Sequence, residues 1–430
     1  MKDIYIMNTL ILTLILTFNF LLSVEKLFVA CEGPFYDGQG SLSIIDQAGN
    51  IDEIENLGNI VQSITIHNDH LFVISNGSSM IHIFDIDNQT GNLSLNNSID
   101  LNFSGPRYML VHEESNTAYI TNWNTQDIKV MNLETMEIIN SIPVNGLPED
   151  IIYDGENIWA SITLNADWSD GNKVIKLNPN DNMITEYEVG YGPGDLLFHN
   201  NSIYVSRTYY DADWNAYAGT SKIDENGNIT LAEYGVGAPC GGSLTTHNNI
   251  VYRSYNGGIA PLNDQLELLS EQQLGDLGFW NVYDVKSINN KIYFAITDYN
   301  TLNQVVVLDE NGIEIATYDV GLIPTDFAVW ESTSLENNQD ILISNFNISN
   351  AYPNPFNPST QFDLNVLESG YVSINIFDLN GNLIDVLAND FYTAGSYKMD
   401  WNASNVSSGL YILNAQLNDE SISQRITLIK

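Results

Sequence analysis

Apolar and polar residues alternate in short runs along most of the chain, and Gly, Asn, Asp and Pro punctuate them. This is the pattern of strands and turns, with no convincing helix. Seven of the runs superimpose: LFVA at 27, LFVI at 71, AYIT at 118, IWAS at 158, IYVS at 203, VYRS at 251 and IYFA at 292. Each reads apolar, aromatic, mostly apolar, then small or apolar, and the starts are 44, 47, 40, 45, 48 and 41 residues apart. Between starts the same events recur, as in VIKLNPNDN, then MITEYEVG, then the Gly/Pro turn of GPGDLLFHNN. Four short strands per unit at a period near forty predict an all-β fold, the β-propeller.

The ends of this repeat predict how the ring closes. With the innermost strand of a blade named A, the chain enters at Leu27 on a B strand, and IPTDFAVW at 323–330 is an A strand without successors. Joining the two completes a seventh blade and removes an exposed sheet edge. The prediction is a seven-bladed propeller in which the N- and C-terminal strands share one blade.

Polar residues recur at fixed places in the repeat. His67, His112, His199 and His247 fall at successive A-to-B turns, where turn chemistry accounts for them. Asp150, Asp195, Asp284 and Asp326 open A strands. Two roles fit, capping of neighbouring backbone amides or a ring of carboxylates at the channel mouth. Arg253 stands in VYRS where other units have Val, Ile, Ala or Phe, so a charge at a blade-core position needs a partner. It either pairs with a carboxylate such as Asp284 or projects into the channel as an anion contact.

The B-to-C and D-to-A loops of a propeller emerge on one face, and three B-to-C loops are long: CEGPFYDGQGS, TLNADWSDGNK and RTYYDADWNAYAGT. The last reads as a loop, because its rings do not alternate as a strand should. Asn165-Ala166-Asp167-Trp168 and Asp211-Ala212-Asp213-Trp214 are displaced by 46 residues, one blade, and should lie side by side. With Phe35, Tyr36, Trp123, Tyr209, Tyr210, Tyr217, Tyr255, Phe279, Trp280 and Tyr299 they would form an aromatic, acid-edged bowl over the channel. Clustered rings with polar tips mark a binding site, or else stack on one another to cover the blade ends. Asp211, Asp213 and Asn215 have the opening rhythm of a calcium loop but lack its Gly and closing Glu, so calcium is one candidate cofactor.

Charge and the termini narrow the class. Lys and Arg number 14 against 54 Asp and Glu, a formal charge of -40 over 430 residues. Such a surface repels phosphate backbones and anionic lipid, so no nucleic-acid partner is expected. Residues 1–23 carry Lys2, an apolar run to Leu22 and then Ser23, the pattern of a secretory signal, with an uncleaved anchor as the alternative. Cys31 and Cys240 are too few for a disulfide framework, and Cys31 reads as a small buried strand residue.

After Trp330 a polar linker at 332–346 follows the propeller of 24–331, and residues 347–430 again alternate, predicting a β-sandwich of about seven strands. Tyr352-Pro353-Asn354-Pro355-Phe356-Asn357-Pro358, Asp378-Leu379-Asn380-Gly381, Ala394-Gly395, Ser408-Gly409-Leu410-Tyr411 and the terminal Lys430 resemble the type A sorting domain of the type IX secretion system. The resemblance implies export across the outer membrane of a Bacteroidota-like bacterium, engagement of the secretion machinery, and release or attachment at the surface. Asn382 departs from the Lys or Arg often found after that Gly.

The propeller resembles YncE-like surface propellers with YVTN-type repeats, LFVACEGPFYDGQGSLSIID being like their first blade. That group includes surface binding proteins, among them corrinoid-capturing lipoproteins. DGENIWAS and MITEYEVG are similar to motifs of streptogramin lyases, whose His and Glu sit on the functional face, opposite the rim where these histidines fall. The expected function is non-enzymatic binding of a glycan, a planar corrinoid-like cofactor or a protein by a secreted monomer, with no catalytic residues assigned. A metal-dependent lyase or lactone hydrolase and a purely structural module are the alternatives.

Overall fold

The computed structural model describes residues 24–34, 38–213, 215–236, 242–278, 281–332, 346–349, 351–366, 369–378, 381–417 and 420–430. The expected signal at 1–23 therefore lies outside the described residues. The chain divides into two compact units, Met1–Ser334 and Leu335–Lys430.

Unit one is a seven-bladed β-propeller of antiparallel sheets. Blade one is made from both ends, in the order Pro324–Glu331, Glu25–Cys31, Ser41–Asp46, Ile51–Ile54. Leu27 lies opposite Val329, and Phe28 opposite Ala328, so the closure read from the repeat is the one observed. Blades two to five and blade seven each have four strands in sequence order. Blade six has three, Leu244–His247, Ile250–Tyr255 and Gly258–Pro261, and its outer edge is made by isolated bridges from Ile259 to Leu274 and from Leu262 to Leu268.

Alternation puts one side of each strand against the neighbouring blade. Between blades one and two, Phe28, Leu42, Val61, Leu71, Val73, Phe84 and Trp330 pack into one apolar layer, all buried. Each such side chain contributes about 1.5–3 kcal/mol relative to exposure. The A-to-B turns are short: Asn200–Asn201, Asn248–Asn249 and Asn289–Asn290 all take positive φ, between 47° and 61°, as a two-residue type I′ hairpin requires. His67, His112, His199 and His247 close their A strands beside these turns, as expected. Cys31 is fully buried at the end of its strand, and burial pushes its thiol up to about 12.

The segment Arg207 to Gly219 is not a loop. Strands Ser202–Tyr210 and Ala216–Ile223 continue outward as a hairpin arm, pairing Arg207 with Gly219, Thr208 with Ala218, Tyr209 with Tyr217 and Tyr210 with Ala216. Simple alternation fails toward the tip of this arm, where Tyr209 and Tyr210 leave the buried environment that Arg207 still holds. Tyr209 and Tyr217 share one side and stack, with centroids 5.5 Å apart and planes 11° apart.

Unit two holds two sheets. One is Phe346–Ile348, Ser359–Val366, Gly395–Asn402; the other is Leu383–Tyr392, Gly370–Asp378, Gly409–Leu417, Glu420–Leu428. Its core is its own, with Trp401 between Phe356 and Tyr411 at 5.3 and 5.5 Å. The expected sorting residues take fixed places within this unit. Pro353 offers its carbonyl to Thr360, Asn354 bonds the backbone of Arg425 and Thr427, and exposed Pro355 precedes buried Phe356. Asp378 caps Asn382 across Gly381, which has φ 81°. Gly395 and Gly409 each open a strand, Tyr411 donates to the Ser407 carbonyl at 2.6 Å, and Lys430 Nζ to that of Ser404 at 2.6 Å.

Candidate functional site

The A strands ring a central cavity of about 540 Å³, lined by Gln62, Arg107, Glu149, Asp150, Asp195, Asp284, Lys286 and Asp326 among others. Register breaks within several A strands, such as Pro148 to Ile151 and Pro193 to Leu196, redirect side chains there. The carboxylates therefore serve both roles considered for them. Asp326 accepts the amide of Ile64 at 2.8 Å, Asp150 that of Leu196 at 2.7 Å, and Asp195 that of Leu244 at 2.5 Å, each on the next blade. Asp284 accepts the hydroxyl of Ser243 at 2.7 Å. Burial raises the pKa of Asp150, Asp195 and Asp284; for Asp195 the neighbouring Asp150 charge adds to it. Lys286 pairs with Asp326. Its side chain is 40% accessible because the cavity is open, and although burial opposes its charge, Asp326 and Asp284 outweigh this and raise its pKa.

At the end of the cavity facing the B-to-C loops, Arg107 holds Glu149 in a bidentate pair, Nε to Oε2 at 2.8 Å and Nη2 to Oε1 at 2.5 Å, and also donates to Gln62. The guanidinium carbon lies 4.3 Å from the ring centre of Trp123, and Trp123 meets Trp168 edge-on at 6.0 Å. Nearby, Tyr283 donates to Glu32 at 2.8 Å, and burial raises the pKa of Glu32.

Of the residues expected in the bowl, Trp123 and Trp168 come together, as do Tyr209 and Tyr217. Phe35, Tyr36, Trp214, Phe279 and Trp280 lie outside the described residues, and with them the pairing of Trp168 with Trp214. Asp167 caps Ser169 in the turn that carries Trp168, and these hydrogen bonds lower its pKa. Tyr255 ends its strand half-buried opposite Gly258. Asp211 accepts the amides of Asp213 and Asn215, both at 2.9 Å, and the Asn215 side chain at 2.8 Å. The same bond set closes the turns at Asp46 and Asp224, so the rhythm that suggested calcium is that of a hairpin turn.

Arg253 does not pair with Asp284. It is 2% exposed, donates to the Arg207 carbonyl at 3.2 Å, lies 5.8 Å from the Tyr234 ring centre, and has no partner for Nη1 among the described residues. Burial lowers its pKa to about 10, with Tyr234 acting against this and Arg207 adding to it.

Several residues of this face escaped the sequence reading. Among the described residues, the exposed aromatics on this face of the propeller are Phe103 (79%), Trp168 (57%), Tyr191 (57%), Tyr210 (46%) and Tyr299 (40%). Three of them hold left-handed backbone, Phe103 at φ 63°, Trp168 at 69° and Tyr299 at 63°. Phe103 and Tyr191 sit in short D-to-A loops, which sequence reasoning passed over in favour of long ones. Arg107 and Arg207 had a usable signal: with only 14 basic residues in the chain, each Arg at a strand start or strand core stands out.

Residues 350–430 match the family model described as secretion system C-terminal sorting domain, and residues 61–205 match that described as lactonase, 7-bladed beta-propeller. Comparison with curated proteins finds none that matches. Among solved structures the chain is similar to a protein from Lactobacillus plantarum, at 13% identity over 72% of this chain and 100% of that one, with a TM-score of 0.53. It is similar to a candidate 6-phosphogluconolactonase from Bacteroides uniformis, at 14% identity over 72% and 99%, with a TM-score of 0.51. Hydrazine synthase from Kuenenia stuttgartiensis matches at 12% identity over 65% and 94%, with a TM-score of 0.51. At such identities the likeness is one of fold.

Proposed function

We infer that this chain, a seven-bladed β-propeller followed by a type IX secretion sorting domain, is an exported protein whose propeller binds a saccharide on the face of the B-to-C and D-to-A loops. The observation that carries this is the placement of Phe103, Trp168, Tyr191, Tyr210 and Tyr299, exposed on one face, three of them on left-handed backbone. That conformation costs an L-residue about 1–2 kcal/mol, and a turn gains nothing in stability from putting a ring in water. The opposite face exposes one aromatic among the described residues, Phe198 at 38%. Flat apolar rings stack on the C–H faces of sugars, and Asp167 and Asp213 beside them accept hydroxyls. The -40 charge disfavours long polyanions.

The test is affinity electrophoresis of the purified chain through gels containing soluble polysaccharides. Retardation that disappears in Trp168→Ala and Phe103→Ala, at unchanged melting temperature, supports the reading. Equal mobility of wild type and both variants in every gel refutes it.

A second reading, lactone hydrolysis or elimination by the same face, draws on the lactonase match and on the Arg107–Glu149 pair at the cavity mouth. Turnover of simple sugar lactones, abolished in Glu149→Gln, would favour it over binding alone.

A further inference from the structure

Arg207 and Arg253 lie on the second strands of the neighbouring blades five and six, 1% and 2% exposed. Taking charges out of water is costly unless each is matched. Arg207 Nη2 donates to the Ala232 carbonyl at 3.0 Å and to Glu233 at 2.5 Å, and Glu233, its one carboxylate partner among the described residues, is itself half in solvent. Among the described residues Arg253 donates to a backbone carbonyl and to no carboxylate, and Arg207 Nε and Arg253 Nη1 have no hydrogen-bond partner. The nearest carboxylate to act on Arg253 from the cavity side is Asp195, already committed to the Leu244 amide and to Asp150.

Glycines stand close against both guanidiniums. A Cβ added to Gly190 or Gly219 would stand 2.7 or 2.4 Å from an Arg207 nitrogen, and one on Gly242 would stand 2.6 Å from Arg253 Nη2. Gly190 and Gly242 belong to D-to-A loops of the aromatic face, beside Tyr191. Tyr209 lies 5.9 Å from the Arg207 guanidinium and is stacked on Tyr217.

We propose that Arg207 and Arg253 form an oxyanion site beneath this face, and that the ligand is a sugar acid carrying a single carboxylate. Planar forked donors match a carboxylate in two-point geometry, and the stacked tyrosines offer the adjoining sugar ring a platform. One carboxylate suffices because the chain's own negative field opposes longer polyanions while the buried pair supplies local compensation. The saccharide part of this assignment rests on the function proposed above; the oxyanion site does not.

The experiment is calorimetric titration of the full chain with galacturonate and with galactose at constant ionic strength, alongside thermal melts in inorganic sulfate. Galacturonate should bind at least tenfold more tightly than galactose, and sulfate at millimolar concentration should raise the melting temperature. Arg253→Met should lose the sulfate effect and the preference for the acid. Equal binding of the two sugars, with a sulfate response unchanged by Arg253→Met, would overturn the proposal. A sulfate response that Arg253→Met abolishes, with neither sugar bound, would support the oxyanion site and overturn the saccharide reading. If Arg253→Met fails to fold, Arg253→Lys decides: charge survives without the fork, so the preference should shrink several-fold, and its persistence would refute two-point recognition.

Discussion

Oδ2 of Asp326 accepts the amide hydrogen of Ile64 at 2.8 Å, joining the last strand of the propeller to the second blade across 262 residues of sequence. Its Oδ1 meets Lys286 of blade seven, so one carboxylate ties three blades together. Asp326→Ala leaves a buried amide and an ammonium without their acceptor, and should cost about 1–3 kcal/mol. A urea unfolding midpoint no lower than that of wild type would show that the seam is held by packing alone.

The cavity carboxylates should make stability rise on mild acidification. Burial raises the pKa of Asp150 and Asp195 in the folded state, so the folded chain binds their protons more tightly than the unfolded chain does. As pH falls from neutral toward the ordinary carboxylate range, this linkage stabilises the fold. Asp46 and Asp224 have lowered values from their turn hydrogen bonds, so their contribution is present above the ordinary carboxylate pKa and is lost as pH falls further. Melting temperatures from pH 7 to about pH 4.5 should therefore rise more in wild type than in Asp195→Asn. Parallel curves would mean that Asp195 does not titrate there.

Phe103 sets stability against binding. It is 79% exposed at φ 63°, so Phe103→Gly relieves the backbone without removing a core contact. Offset by the greater freedom of unfolded Gly, the change should be neutral or stabilising by up to about 1 kcal/mol, while saccharide retention falls. A loss of more than that in thermal melts would mean the ring packs against the propeller.

The acidic hairpin tip makes a further test. Because both Asp211 oxygens already accept hydrogen bonds from the turn, millimolar calcium or a chelator should leave the melting temperature unmoved. A calcium-dependent rise abolished by Asp211→Asn would restore the metal reading.

The blade count and the shared blade were legible because they depend on period and alternation alone, which LFVA at 27 and IPTDFAVW at 323 display directly. The hairpin arm at 207–219 was not, since ring stacking toward its tip replaces the buried face that alternation records. Arg253 was conspicuous, but its companion Arg207 was not. Arg207 follows IYVS by one position, and only the three-dimensional pairing shows its guanidinium turned inward. Phe103 and Tyr191 were missed because a single ring in a turn of five or four residues looks ordinary until the backbone conformation and exposure of its neighbours are seen together.

Blade one needs its first three strands from residues 25–54 and its innermost from residues 324–331. During synthesis from the N-terminus nearly the whole propeller must thus be made before blade one can be completed. Until then the strand at Glu25–Cys31 has one bare side. The fold therefore delays its own completion, because the contact that closes the wheel joins its two most distant strands.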